Sequence, residues 1–252
     1  LKICEHAFSD CVNLTKVEIS PNSNLQIIES DAFYKSNIKE IFIPPSVSKI
    51  CEHAFYSCYN LTKVEISPNS KLQIIESNAF LNSKIEEIYF PASLKELKEG
   101  WCYGANNLNK IIISNNHDKF KFLENQYLIS KNEEKIDEFD ILLFVVRNIN
   151  EFSIPSNIKI ISSYAFSKSN IKEIFIPSTV LKICEYAFHD CENLMTVDIS
   201  PNSNLQLIES HAFSNSKIIK IFIPPKVSII CEYAFNDCIY LKKVEIPPNS
   251  NL

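Results

Sequence analysis

Residues Lys49–Ser70 read KICEHAFYSCYNLTKVEISPNS, and Lys2–Ser23 read KICEHAFSDCVNLTKVEISPNS. The two stretches lie 47 residues apart and differ only at Ser9/Tyr56, Asp10/Ser57 and Val12/Tyr59. Looser copies begin at Lys182 and near Ile230. Catalysis needs one asymmetric constellation, so a unit that recurs this often is a structural module. Such a module buries its apolar face against its neighbours, and the fold is a stacked array.

The most regular anchors are Ala-Phe pairs, at Phe8, Phe33, Phe55, Phe80, Phe166, Phe188, Phe213 and Phe235. Within each block of four their spacings alternate between 22 and 25 residues, and the two together make the 47-residue period. Units of this size fall within the leucine-rich-repeat range of about 20–29 residues and below helical repeats of about 33 or more. After each anchor comes an L-x-x-I-x-I core, as in Leu61/Val64/Ile66 and Ile171/Ile174/Ile176. Its last two positions alternate with outward residues, and β-branched side chains dominate, which predicts a strand. A proline one or two residues on, such as Pro44, Pro68 or Pro177, ends it. Ser30, Ser77, Ser163 and Ser210 precede the Ala-Phe pairs and are placed to cap a short helical turn. The expected fold is therefore an α/β leucine-rich-repeat solenoid, with a parallel β-sheet on the concave face, short helical turns opposite and one inserted β-hairpin.

Composition excludes several functions. A net charge of −5, with Lys and Glu interleaved, lacks the basic stripe of a nucleic-acid binder. The longest apolar run, residues 141–146, is far short of the roughly 20 residues of a membrane span. Only Gly100 and Gly104 occur, which excludes Gly-rich phosphate loops. No cofactor is implied. The chain opens on Leu1 inside one unit and stops on Leu252 inside another, as a piece cut from a longer array would, so missing targeting segments prove nothing.

Cys4/Cys11, Cys51/Cys58, Cys184/Cys191 and Cys231/Cys238 share a seven-residue separation. On a helix that spans about 10.5 Å, beyond the roughly 7 Å a disulfide bridges. Equivalent cysteines two rungs apart are also about 10 Å away. Buried thiols are expected. Three residues after each Phe, Cys and Ser trade places (Cys11, Ser36, Cys58, Ser83, Ser169, Cys191, Ser216, Cys238), which marks a tight inward site for a small side chain. The Cys-x-His strings at His6 and His53 suggest a metal. The other copies carry Tyr186 and Tyr233 there, and Tyr does not replace His in an ordinary zinc site, so a solvent-facing helix position is expected and no metal site.

Regularity breaks once. The fifth unit replaces Ala-Phe by Trp101-Cys102 inside Gly100-Trp101-Cys102-Tyr103-Gly104, and the next Ala-Phe begins only at Ala165. The organisation expected is repeat units over 1–113, a divergent β-hairpin insert over 114–148, and repeat units over 149–252. The hairpin's polar loop carries Glu133, Glu134, Asp137, Glu138 and Asp140, without the D-x-D-x-D-G spacing of a calcium loop. A solvated loop explains it. The Trp/Gly cluster has two readings, an exposed hot spot or a refilled core where a rung changes shape. Cys102 and His117 lie outside the repeated slots, but nothing in the sequence orients them as a nucleophile pair, so no catalytic residue is assigned.

With the Ala-Phe turn, the L-x-x-I-x-I-P strand and the trailing Val/Leu-x-x-I in hand, the chain resembles the BspA-like leucine-rich-repeat family. The I-x-x-x-A-F-x-x-C-x-x-L frame carries the resemblance over essentially all 252 residues. It implies a non-enzymatic protein-binding or adhesion module at the cell surface or secreted. Its expected partners are proteins, including host extracellular-matrix proteins, with no nucleic acid and no membrane contact by this segment. An intracellular (cytoplasmic) scaffold of the same fold is the alternative, favoured by cysteines that suit a reducing compartment. The sequons Asn13-Leu-Thr15 and Asn60-Leu-Thr62 are glycosylation acceptors if the chain is exported.

In such an array equivalent residues stack about 4.8 Å apart. The residue between the two inward strand positions points out, and it alternates between acidic (Glu18, Glu65, Asp198, Glu245) and aromatic (Phe42, Tyr89, Phe175, Phe222). These eight are the candidate ligand contacts. Exposed aromatics on an open sheet resemble a binding surface, while strands also favour aromatics for their own sake; both readings stand. The column before it, Lys16, Glu40, Lys63, Glu87 and Lys110, forms a charge ladder that keeps like charges apart and is taken as structural.

Overall fold

The computed structural model describes residues 1–115, 117–132 and 138–252, and none of them lies in a helix. The chain divides into two units, Leu1–Gln126 and Tyr127–Leu252. The first contains β1 (Lys2–Ile3), β2 (Ile27–Ile28), β3 (Glu40–Ile43), β4 (Lys49–Ile50), β5 (Lys63–Ile66), β6 (Ile74–Ile75), β7 (Glu87–Phe90), β8 (Glu96–Leu97), β9 (Lys110–Ile113) and β10 (Phe120–Leu123). The second contains β11 (Tyr127–Ser130), β12 (Ile141–Val145), β13 (Ile160–Ile161), β14 (Glu173–Ile176), β15 (Lys182–Ile183), β16 (Thr196–Ile199), β17 (Leu207–Ile208), β18 (Lys220–Phe222), β19 (Ile229–Ile230) and β20 (Lys243–Glu245).

Each unit is a β-solenoid whose coils are tied by two parallel ladders. The longer strands pair as β3-β5-β7-β9 and as β14-β16-β18-β20. These are the L-x-x-I-x-I strands expected from the sequence. A second ladder was not expected: the two-residue strands pair as β1-β2-β4-β6-β8 and as β13-β15-β17-β19. They arise from the trailing dipeptides, Lys-Ile or Ile-Ile in most coils, Glu96-Leu97 in β8 and Leu207-Ile208 in β17. The prolines sit in the turns between ladders, where the Val47 amide donates to the Pro44 carbonyl (3.0 Å) and the Ser70 amide to the Ser67 carbonyl (2.9 Å). The inserted hairpin is present, with β11 antiparallel to β12, and β12 runs parallel to β13. Of its acidic loop, Glu133, Glu134 and Asp137 lie outside the described residues; Glu138 is exposed, Asp140 is buried rather than solvated, and both pair with Lys159.

The expected helical turns are not what forms on the third side. There the backbone takes successive β-turns whose donors alternate. The Ala7, Ser9 and Cys11 amides donate three residues back, to Cys4, His6 and Phe8 (3.1, 3.1 and 3.4 Å). The His6, Phe8 and Asp10 amides donate instead to Ser30, Ala32 and Tyr34 of the next coil (3.2, 2.8 and 2.8 Å). A helix would need every amide to bond four residues back, so this alternation forbids one. It also requires left-handed residues at fixed places: His6 and Asp10 have φ of 56° and 55°, and the same two slots recur at Asp31/Lys35, Asn78/Asn82, Tyr186/Asp190 and His211/Asn215. Positive φ at the third residue is what a type II turn demands. Ser30, Ser77 and Ser210 therefore act through their carbonyls, which accept from His6, His53 and Tyr186 (3.2, 3.3 and 3.2 Å), rather than as helix caps.

Coils are further stapled by side chains. Glu29, Glu76 and Glu209 each accept a backbone N–H of the preceding coil, from Glu5, Glu52 and Glu185 (3.1 Å each). The same carboxylates pair with Lys2 (2.7 Å), Lys49 (2.7 Å) and Lys182 (2.6 Å). The Lys2 hydrogen bond holds the Glu29 carboxyl below its ordinary range. Inside, the Phe anchors stack: Phe8, Phe33, Phe55 and Phe80 have ring centroids 5.2, 5.3 and 5.2 Å apart. Phe166, Phe188, Phe213 and Phe235 follow at 4.6, 4.9 and 5.3 Å. Beside the rings runs a polar thread at the Cys/Ser slot. Cys58, Cys191 and Cys238 donate their thiol hydrogens to the Phe33, Phe166 and Phe213 carbonyls (3.0, 3.1 and 3.1 Å) and touch Ser36, Ser169 and Ser216. That slot is inward, as its small side chains imply, and burial pushes the Cys58 and Cys191 thiols up to about 11.

At the irregular fifth coil Trp101 is buried (4% exposed) with its ring 5.6 Å from Phe90, and Phe90 lies 6.0 Å from Phe120. The exposed hot-spot reading is thereby corrected: the indole refills the core. Gly100 and Gly104 (φ 62° and 73°) occupy the two left-handed slots of that coil.

Candidate functional site

The outward column of the longer-strand sheet exists as a physical register. Phe42 stands opposite Glu65, and Tyr89 opposite Ile112. Phe175 stands opposite Asp198, and Phe222 opposite Glu245. Phe42, Tyr89 and Phe222 are half-buried, while Phe175 is 57% exposed; Glu18, Glu65, Asp198 and Glu245 are exposed. Strand pleating explains the placement, since Ile41 and Ile43, or Val197 and Ile199, turn into the core on either side.

Most acidic members of the column are internally neutralised. Lys16 meets Glu18 at 2.7 Å, Lys63 meets Glu65 at 3.2 Å, and Lys243 meets Glu245 at 2.6 Å. Lys63 and Glu65, and Lys243 and Glu245, sit two apart on one strand, on the same face; Lys16 and Glu18 keep that spacing outside the strands. The Lys243 hydrogen bond holds the Glu245 carboxyl below its usual range, with a further contribution from Lys220; Lys16 does the same to Glu18. The neighbouring charge ladder keeps the expected register, Lys16, Glu40, Lys63, Glu87, Lys110. Only part of its pairing runs across strands, as in Lys110–Glu87 at 2.9 Å; Lys16 and Lys63 pair instead with the acid two residues on, Glu18 and Glu65.

One rung departs from this scheme. Where three copies read Lys-Val-Glu, β16 reads Thr196-Val197-Asp198. Asp198 has no ion-pair partner among the described residues. At this rung the sheet carries a groove of about 390 Å³, lined by Phe175, residues 196–201, residues 220–222 and Glu245. It brings together four of the eight candidates: Phe175, Asp198, Phe222 and Glu245. Phe42, Glu65 and Tyr89 share a face in the other unit, and Glu18 lies outside the strands, paired with Lys16.

A second aromatic column, on the turn side, escaped the sequence reading. Tyr164, Tyr186, His211 and Tyr233 stack at 4.9, 4.8 and 5.1 Å with planes within 12° of parallel. These are left-handed turn positions, not the solvent-facing helix positions expected. Stacked ring on ring, they present edges outward and leave little flat face for a ligand. His189 packs against Tyr186 at 5.3 Å, and its Nδ1 lies 2.7 Å from the Ser214 hydroxyl; burial lowers its pKa. The recurring Cys-Glu-His/Tyr string is thus a turn element, and among the described residues no group of His, Cys, Asp and Glu is arranged to hold a metal ion.

The pair outside the repeated slots is not built for nucleophilic chemistry. Cys102 is buried, and the His117 Nδ1 already accepts from the Lys119 and Phe120 amides (3.2 and 3.3 Å). Asn60 donates its side-chain amide to Asn37, so one sequon nitrogen is engaged between coils. Arg147, unforeseen, is buried beside the hairpin: its guanidinium donates to the Val145, Ala165 and Tyr164 carbonyls (2.9, 2.6 and 3.0 Å) and lies 4.6 Å from the Phe144 ring. That role is structural.

Comparison with known proteins agrees with this architecture. The model for the BspA-type leucine-rich-repeat region matches in six copies, over residues 1–132 and 135–252. The structure of the pneumococcal vaccine antigen PcpA superposes with a TM-score of 0.80 at 26% identity, covering 89% of this chain and 55% of that one. A leucine-rich cell surface protein from Faecalibacterium prausnitzii superposes with a TM-score of 0.77 at 24% identity, covering 97% of this chain and 69% of that one. A leucine-rich-repeat protein from Bacteroides ovatus gives 0.55 at 19% identity, covering 98% and 58%. The chain thus spans little more than half of the first of these proteins. No curated protein matches it in sequence. Two alternating coil types, each with its Ala-Phe anchor, L-x-x-I-x-I strand and closing turn, together with a family model matched along nearly the whole length, show that the chain belongs to the BspA-type leucine-rich-repeat family.

Proposed function

We propose that this chain is a non-enzymatic protein-binding module that works in adhesion at the cell surface, with host extracellular-matrix proteins as its partner class. The contact surface is the outward face of the longer-strand sheet, through Phe42, Glu65, Tyr89, Phe175, Asp198, Phe222 and Glu245, with Glu18 at its margin. The observation that carries the reading is the groove in which Phe175, Asp198, Phe222 and Glu245 converge. Aromatic side chains flanked by polar groups are the composition of protein-contact surfaces. Similarity to a leucine-rich cell surface protein and to a vaccine antigen supports the setting. Cys58 and Cys191 are compatible with an oxidising exterior, being sealed in the core as hydrogen-bonded thiols, whereas Cys4 is exposed and Cys11 and Cys231 are part-exposed, against the burial expected of them.

The test is binding of the chain to a surface coated with extracellular-matrix extract, comparing the parent with Phe42→Ser and Phe222→Ser. Both variants keep the thermal midpoint and lose binding, by roughly 10-fold or more for a hot-spot aromatic. Undiminished binding in both would remove the sheet face as the contact.

A further inference from the structure

The face proposed above is not uniform, and the difference lies in its electrostatics. Along the column, an acid between two aromatics is the recurring arrangement, and in the first unit Glu65 is answered by Lys63 of its own strand at 3.2 Å. In the second unit two changes coincide on one strand. Thr196 removes the lysine, and Asp198 shortens the acid. A shorter side chain leaves space between the rings on the flanking strands β14 and β18. That space is the groove of about 390 Å³. Phe175 and Phe222 stand two strands apart, about 10 Å at the backbone, which admits one side chain between them. The lining holds two carboxylates, Asp198 and Glu245, and one ammonium, Lys220. Glu245 is committed to Lys243 at 2.6 Å and feels Lys220 as well. Lys220 stands opposite Thr196, in the column beside the acid rather than in the acid's own. Asp198 thus remains an exposed carboxylate, without an ion partner among the described residues, at the floor of an aromatic slot.

An apolar plug would cover that carboxylate and strip it of water without replacement, which is costly. An anion would be repelled. A cation over a carboxylate and between two phenyl faces gains both an ion pair and cation–π contact. A guanidinium suits best, being planar, weakly hydrated and able to stack. Resting on the sheet-face reading, we infer that the Phe175–Asp198–Phe222 slot receives an arginine side chain of a protein partner. The partner segment is basic, and this rung selects for it.

The experiment uses the full chain, labelled with nitrogen-15, and two small probes: N-acetyl-arginine amide and its neutral isostere N-acetyl-citrulline amide. Backbone amide shifts are followed in titration. The arginine probe is expected to move the amides of residues 196–200 and 220–222 saturably, and the citrulline probe to bind there about 3-fold more weakly or worse, as loss of one exposed ion pair implies. Asp198→Asn brings the arginine probe to the citrulline level. Thr196→Lys does the same by supplying the internal counter-ion that the other copies carry. Both positions tolerate substitution, since Asp198 is exposed and Thr196 half-exposed; unchanged thermal midpoints check it. Equal binding of the two probes, shifts located elsewhere, no shifts, or an arginine response unaffected by Asp198→Asn would each overturn the assignment. Matrix binding lost in Phe222→Ser without any arginine preference sinks the slot and leaves the sheet face standing. Arginine preference without matrix binding does the reverse.

Discussion

At the scale of single residues, burial decides reactivity and stability. Cys58 and Cys191 have thiols held up to about 11 by burial, so at pH 8 only roughly one molecule in a thousand carries the reactive thiolate. Iodoacetamide at that pH is expected to label exposed Cys4 and spare those two until the chain is unfolded, as peptide mass spectrometry would show. Phe80 is fully buried in the ring stack, and Phe80→Ala should lower unfolding free energy by about 3–5 kcal/mol in urea titration. His189 is pushed down by burial, with Asp190 opposing. Its unfolded state therefore binds a proton first, and stability present above about pH 6.5 is lost as pH falls through the depressed folded value. Thermal midpoints measured from pH 7 to 5 should decline, and His189→Gln should flatten that decline. The core side of this residue-level picture was legible: in the interior coils the Ala-Phe, Leu and Ile anchors are buried, because apolar periodicity reports burial directly, while anchors of the end coils such as Phe8 and Ile246 stay exposed. The left-handed slots were not, since His, Asp, Asn, Tyr, Lys and Ser all occupy them. The Asp and Asn members, and the two glycines of the fifth coil, were the available signal.

At the scale of elements, the longer strands could be read from alternation, and the shorter ladder could not. A two-residue strand such as Lys49–Ile50 shows one residue in and one out, too little pattern to separate from a loop. Likewise the turn column resembled helix N-termini, because Ser before a short apolar pair is also how helices begin. What decides against a helix is the neighbouring coil, which takes every second amide proton; a tertiary partner outbids the local preference. The turn geometry makes a sharp forecast at Gly104. A methyl group there would fall 2.2 Å from the Asn82 Oδ1, on a backbone with φ of 73°. Gly104→Ala should cost about 1–2 kcal/mol from backbone handedness alone, seen as an earlier urea midpoint, while Asn82→Ala combined with it recovers only the steric part. Of the candidate contacts, the column was legible and its neutralisation was not. Lysine two residues before an acid looks like ordinary surface charge until the strand places both on one face.

At the scale of the whole molecule, each unit is a one-dimensional stack whose interior coils shield one another, while the coils holding Phe8 and Val244 lack that cover. Val197 and Ile199 are 4% and 5% exposed, whereas their counterparts Val244 and Ile246 are 50% and 52% exposed. Hydrogen exchange should accordingly be fast over residues 243–252 and slow over residues 196–199, with a gradient between them rather than a single cooperative limit. The two seams between coils are also chemically different. Where a glutamate coil follows a cysteine coil, Glu29 answers Lys2 and the Glu5 amide; where a cysteine coil follows, Cys58 answers Ser36 and the Phe33 carbonyl. Removing one coil of 22 or 25 residues would set like against like, thiol on thiol and lysine on lysine, whereas excising a consecutive pair of 47 joins ends that already match. Such an array is free to grow or shrink only in doublets, so variation in length among its natural forms would be counted in even numbers of turns of the spiral.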